Sequence, residues 1–123
     1  ATRGLEEALS RMEAFSALGA DILFMEAPHS IDEMALFCSR IQGHKMANML
    51  ENGDTPLLPP RDLEALGYKI AAYPLTLLSA SVKAMQTALS EIQSGSPASG
   101  LLPFQTLQKI LGFPEYDNLL EKY

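Results

Sequence analysis

The stretch Asp21-Ile22-Leu23-Phe24-Met25-Glu26-Ala27-Pro28 decides the fold. Its apolar run is continuous rather than alternating, the pattern of a strand covered on both faces, as in a parallel sheet. A carboxylate and a proline end it. Upstream, Leu5, Ala8, Leu9, Met12 and Phe15 recur at helical spacing, with Glu6, Glu7, Arg11 and Glu13 mostly on the other face. That spacing predicts a helix over 4–18, closed by Gly19 at its C-cap. Downstream, Ser30-Ile31-Asp32-Glu33 is a capping-box signature, in which the serine accepts from the first turn and the glutamate reaches back. Ile31, Met34, Ala35, Cys38 and Ile41 mark the buried stripe of the helix it opens, which stops near Gly43.

The alternation continues. A second strand is expected over 45–50, then a short helix over 61–66 after Pro59-Pro60, ended by Gly67. A third strand runs over 68–73 and stops at Pro74. The longest helix, 76–93, has a wide apolar face built from Leu77, Leu78, Ala84, Met85, Ala88, Leu89 and Ile92 among others. Ser94 to Gly100 reads as a flexible linker by composition. Short helices follow over 104–111 and 114–122. The expected organisation is a β/α part with the long helix over 1–93, a linker over 94–103 and a helical tail over 104–123. Strands alternating with helices imply right-handed crossovers and a parallel sheet. A closed (β/α)8 barrel takes about 250 residues. The 123 residues here suit about half of one.

The totals exclude several classes. A formal charge of −6 with scattered basic residues opposes a nucleic-acid surface, which needs clustered Lys and Arg. The single cysteine, Cys38, rules out an internal disulfide framework and fits a reducing compartment. No apolar run approaches the roughly 18 residues of a spanning helix, and no signal-peptide pattern is seen, so no membrane partner is expected and the chain reads as soluble and intracellular. His29 and His44 have no second histidine or cysteine at ligand spacing, which opposes a zinc site. Walker, Rossmann, nucleophile-elbow and HExxH motifs are absent.

In parallel β/α folds ligands sit at the carboxyl ends of the strands. Glu26 ends the first strand, Tyr73-Pro74 the third, and the second feeds Ala47-Asn48-Met49-Leu50-Glu51-Asn52-Gly53-Asp54-Thr55-Pro56, the richest polar loop of the chain. An amide at Asn48 or a hydroxyl at Thr55 can donate to a substrate carboxylate. Glu26 can accept from a substrate hydroxyl or an arginine, and Gly53 permits a tight turn or close approach. Each also has a plainer reading: Glu26 as a solvated loop residue, Asn48 as a turn cap, Glu51 and Asp54 as surface charges, Thr55-Pro56 as a turn. Spacing alone leads to a parallel α/β fold with a site at its strand ends.

In their order and spacing, three phrases resemble the isocitrate lyase / phosphoenolpyruvate mutase superfamily. They are Gly19-Ala20-Asp21-Ile22-Leu23-Phe24-Met25-Glu26-Ala27, the loop from Ala47 through Pro56 to Leu57-Leu58, and Leu66-Gly67-Tyr68-Lys69-Ile70-Ala71-Ala72-Tyr73-Pro74-Leu75. The similarity is greatest to 2-methylisocitrate lyase-like and carboxyvinyl-carboxyphosphonate phosphorylmutase-like members, and the tail from Leu111-Gly112-Phe113 to Tyr123 resembles plant and cyanobacterial ones.

The resemblance implies the carboxyl-terminal part of a (β/α)8 TIM barrel, with the three strands as its sixth to eighth. It implies an enzyme acting on small 2-hydroxy or 2-oxo carboxylates with Mg²⁺, whose ligands, with an arginine and a mobile lid, belong upstream of this chain. No metal ligand or catalytic residue is therefore assigned here. Glu26 matches a glutamate of the active site, and Asn48 an asparagine that helps hold a substrate carboxylate. Glu51, Gly53, Thr55 and Pro56 match the loop shaping that pocket. The expected chemistry is Mg²⁺-dependent cleavage of a C–C bond through an enolate, in the manner of 2-methylisocitrate lyase. Phosphonomutase and oxaloacetate decarboxylase chemistry are alternatives within the superfamily. The expected partners are the amino-terminal half of the barrel and further copies, as a dimer or tetramer made by swapping the helix over 76–93. The compartment implied is the cytoplasm, or the plastid stroma for a plant chain. A catalytically inactive half-barrel is a different class of reading. A small flavodoxin-like regulator is another, and it would want an early strand with an acidic cluster and more strands.

Overall fold

The computed structural model describes residues 3–120. The chain divides into two compact units, 1–79 and 80–123. In the first, α1 (Leu5–Ala17), β1 (Ile22–Phe24), α2 (Ile31–Arg40), β2 (His44–Asn48), α3 (Pro60–Leu66) and β3 (Tyr68–Ala72) alternate as expected, and α4 (Thr76–Gln93) begins. The second holds the rest of α4 with α5 (Phe104–Ile110) and α6 (Phe113–Leu120). The last two residues expected in the final helix, Glu121 and Lys122, lie outside the described residues.

The helix ends follow from their residues. At the end of α1, Ala20 N–H donates to Phe15 O at 3.1 Å and Gly19 N–H to Ser16 O at 3.0 Å, with Gly19 at φ 85°. This is a Schellman stop, which needs a left-handed residue that glycine adopts without a Cβ clash. At the start of α2, Glu33 N–H donates to Ser30 Oγ at 3.1 Å. The Glu33 carboxylate reaches one residue further back than a standard capping box, accepting from His29 N–H at 2.7 Å.

The three strands are parallel in the order β1-β2-β3. Phe24 pairs with Met46, Met46 with Ile70, and Asn48 with Ala72. Lys45 pairs with Tyr68, so β3 carries one extra residue, Lys69, opposite the Lys45–Met46 step. That bulge changes the phase of β3, placing Tyr68 on one face and Ile70 on the other.

Burial then alternates, against the expectation of strands covered on both faces. Leu23, Met25, Ala47, Met49 and Tyr68 are buried against Leu9, Met34, Phe37 and Leu63 of the helices and Ile41 at the end of α2. Phe37 and Tyr68 meet with ring centroids 6.2 Å apart. The other face carries Ile22, 49% exposed, and Ile70, 38% exposed, with Phe24 and Met46 half-buried. A barrel covers that face with its opposite strands, and the described residues supply three strands.

Arg40 ties the outer layer together, donating from Nε to Glu13 and from Nη1 to Glu6, each at 2.8 Å, so α2 is pinned to α1. In the second unit, α4 ends in another Schellman pair, Ser96 N–H to Glu91 O and Gly95 N–H to Ile92 O. The Glu91 carboxylate accepts from Ser99 N–H at 2.7 Å and Ser99 Oγ at 2.6 Å. Ser99, in the serine-rich segment after α4, thus supplies both donors to this carboxylate.

Candidate functional site

The three strands run the same way, so their carboxyl ends share one rim. Glu26 lies two residues past Phe24, the last residue of β1, and Asn48 lies two past Met46, the register partner of Phe24, so both belong to this rim. Glu26 is exposed and borders a cleft of about 220 Å³ lined by Gly4, Ala8, Met25, His29 and Glu33 among others. The next residue, Ala27, has φ 51°. A left-handed alanine costs on the order of 1 kcal/mol or more. Nothing in the sequence signals this, since a residue before proline ordinarily reads as extended.

Asn48 is the half-buried last residue of β2. The ladder extends one step beyond it, with Met49 N–H donating to Ala72 O at 2.7 Å. The chain then turns over 50–53, Gly53 N–H donating to Leu50 O at 3.1 Å with Asn52 at φ 62°. A Cβ on Gly53 would stand 3.1 Å from Leu50 O and 3.4 Å from Leu50 Cβ, which is why a glycine fits this turn. Thr55 and Pro56 follow, both half-buried.

Glu51 is exposed, and its carboxylate accepts from Thr76 Oγ1 at 2.7 Å. That bond holds the Glu51 carboxyl below the usual carboxylate range. Asn48 thus ends β2, Glu51, Gly53, Thr55 and Pro56 lie on the connection that follows it, and Glu26 lies past the end of the neighbouring β1. Thr76 was not legible as part of this region. Its only signal is a hydroxyl at the start of the long helix.

No group of three or more His, Cys, Asp or Glu among the described residues could hold a metal ion. No helix among those residues is long and apolar enough to cross a membrane.

A family model described as phosphoenolpyruvate phosphomutase matches residues 1–93. The chain belongs to that family. Among its relatives, the phosphomutase-family chain is 36% identical over 119 residues to a 2,3-dimethylmalate lyase of Eubacterium barkeri, covering 97% of this chain and 39% of that enzyme. It is 34% identical over 121 residues to the chloroplastic carboxyvinyl-carboxyphosphonate phosphorylmutase of Arabidopsis thaliana, covering 98% of this chain and 34% of that protein. A 2-methylisocitrate lyase of Bacillus subtilis is 33% identical over 123 residues, with 97% of this chain and 41% of that enzyme covered. Among solved structures, a 2,3-dimethylmalate lyase superimposes with a TM-score of 0.84 at 27% identity over 98% of this chain and 44% of that one. An oxaloacetate acetylhydrolase shares the fold, with a TM-score of 0.84 at 20% identity over 95% of this chain and 42% of that one.

This phosphomutase-family chain thus spans about two fifths of the length of such relatives and forms the carboxyl-terminal part of a (β/α)8 barrel. The superfamily expected from the three sequence phrases is the one found.

Proposed function

We propose that the complete polypeptide carrying this chain is a Mg²⁺-dependent carbon–carbon lyase acting on small 2-hydroxy carboxylates, as 2-methylisocitrate lyase does. The observation that carries this reading is the half-buried Asn48 at the carboxyl end of β2, with Glu26 two residues past the end of the neighbouring β1. Relatives named 2-methylisocitrate lyase and 2,3-dimethylmalate lyase support the reaction class. In this reading the Asn48 amide donates to a substrate carboxylate and fixes its orientation. Glu26 accepts from a substrate hydroxyl or from an arginine upstream, and Gly53, Thr55 and Pro56 shape the wall beside them. The metal ligands and the group that removes the hydroxyl proton belong to residues outside this chain, so this wall binds and orients. Mg²⁺ in the complete site would supply a Lewis acid for developing negative charge.

The partners proposed are the remaining strands of the barrel and a second copy. Leu78, Val82, Met85, Leu89 and Ile92 are all exposed on α4. Their 4-3-4-3 spacing is the seam that a facing helix covers, which supports association through α4. A chloroplastic relative keeps a plastid location open beside the cytoplasm.

The test is release of pyruvate from 2-methylisocitrate by the complete polypeptide, with and without Mg²⁺, with 2,3-dimethylmalate assayed beside it. Asn48→Ala is expected to raise KM by about a hundredfold. No cleavage of either acid would remove the lyase reading. The phosphonomutase alternative rests on the family model and the Arabidopsis relative, and it predicts P–C bond formation in place of C–C cleavage.

A further inference from the structure

Glu51 stands three residues past Asn48, on a connection with no regular structure between Asn48 and Pro60. Two bonds run from this connection to the segment that begins at the end of β3. One is the Met49–Ala72 backbone bond at 2.7 Å, beside Asn48. The other is the Thr76 hydroxyl donating to the Glu51 carboxylate at 2.7 Å, beyond the turn's first residue. Thr76 opens α4, a helix of 18 residues, so the carboxylate also lies at the positive end of that helix. The turn over 50–53 is thereby tied at its entry and at its second residue to the segment 72–76. A single exposed bond of this kind adds little to global stability, but it decides where an irregular loop sits.

We propose that Glu51 and Thr76 are a positioning pair: they hold the β2–α3 connection so that Asn48 and Thr55 keep the geometry that receives a substrate carboxylate. Neither side chain touches the substrate. This rests on the reading of Asn48 above. It gives Thr76, on a different connection, a part in the same site. It also gives the Glu51 carboxylate work that a substrate contact would disrupt, because a carboxylate engaged by the Thr76 hydroxyl repels an incoming carboxylate if left facing it.

The test uses the complete polypeptide. Thr76→Val removes the hydroxyl at nearly constant volume, Thr76→Ser keeps it, and Glu51→Ala removes the acceptor. Thr76→Val and Glu51→Ala are each expected to raise KM about tenfold with kcat within about twofold. The double variant should be no worse than either single one, because the pair acts as a unit, and Thr76→Ser should match the parent. Asn48→Ala is measured alongside. If it raises KM while Thr76→Val does not, the pair is overturned and the site reading stands. A fall in kcat and in thermal stability at constant KM marks ordinary structural support and also overturns the pair. If Asn48→Ala is itself silent, or cleavage is absent throughout, the site reading falls and substrate positioning with it. Amide hydrogen exchange then decides the anchor alone. Peptides covering 49–55 must exchange at least about threefold faster in Thr76→Val than in Thr76→Ser, and equal rates overturn it.

Discussion

Cys38, Lys45 and Tyr68 form a polar knot within an otherwise apolar layer. Lys45 is 6% exposed, and its ammonium donates to the Ile41 carbonyl. Burial pushes the Cys38 thiol above its ordinary value of 9.0, with the Lys45 charge and the Tyr68 hydroxyl pulling the other way. Burial also pushes the Tyr68 phenol well up, helped by Cys38. Both groups are acids raised on folding, so the unfolded chain loses its protons first as pH climbs. Their contribution to stability is whole below the unfolded values and declines above them. Thermal melts between pH 7 and 11 should therefore fall from about pH 9 upward. Cys38→Ala should remove the earlier part of that decline. A melting temperature independent of pH across this range would contradict the account. Alkylation of Cys38 in the folded chain should likewise be slow at pH 7, because the thiolate is the reactive form.

At the level of elements, α2 shows what the sequence makes legible. Ser30 and Glu33 announce the helix start, and both side chains bond there, to Glu33 N–H and His29 N–H. Ser30→Ala should cost about 1 kcal/mol in urea unfolding, measured where the transition is two-state. A loss under about 0.3 kcal/mol would mean the cap contributes nothing there. Helix order, the Gly19 stop and the parallel strands were readable for the same reason: each is written in a few local residues. The covered face of the sheet was not. Ile22-Leu23-Phe24 is apolar on both sides because the run is composed for a closed barrel, so only the structure shows which side this chain buries. The Lys69 bulge is equally silent, since Tyr68-Lys69-Ile70 reads as an unbroken strand. The site follows the same division. Asn48 and its loop stand out by their polarity, whereas the Thr76–Glu51 bond joins positions 25 apart in the chain, which local patterns do not encode.

On the scale of the whole molecule, the unburied sheet face makes a test of what completes the fold. Ile70 shares its face with Met46 and Phe24 through the register, and it is 38% exposed. Within this chain a lysine at that position can keep its ammonium in water, so Ile70→Lys should change stability by less than about 0.5 kcal/mol. It should also lessen self-association, because β1 and β3 are open edges beside an apolar surface and invite pairing. In the complete polypeptide the outcome should reverse. There the same face points into a barrel interior packed by side chains, and an unpaired ammonium in such a layer costs several kcal/mol. Light scattering and urea unfolding on both forms separate the cases. A complete polypeptide that tolerates Ile70→Lys as well as the short chain does would mean that this face is not the barrel lumen, and the placement of the site at its rim would fall with it.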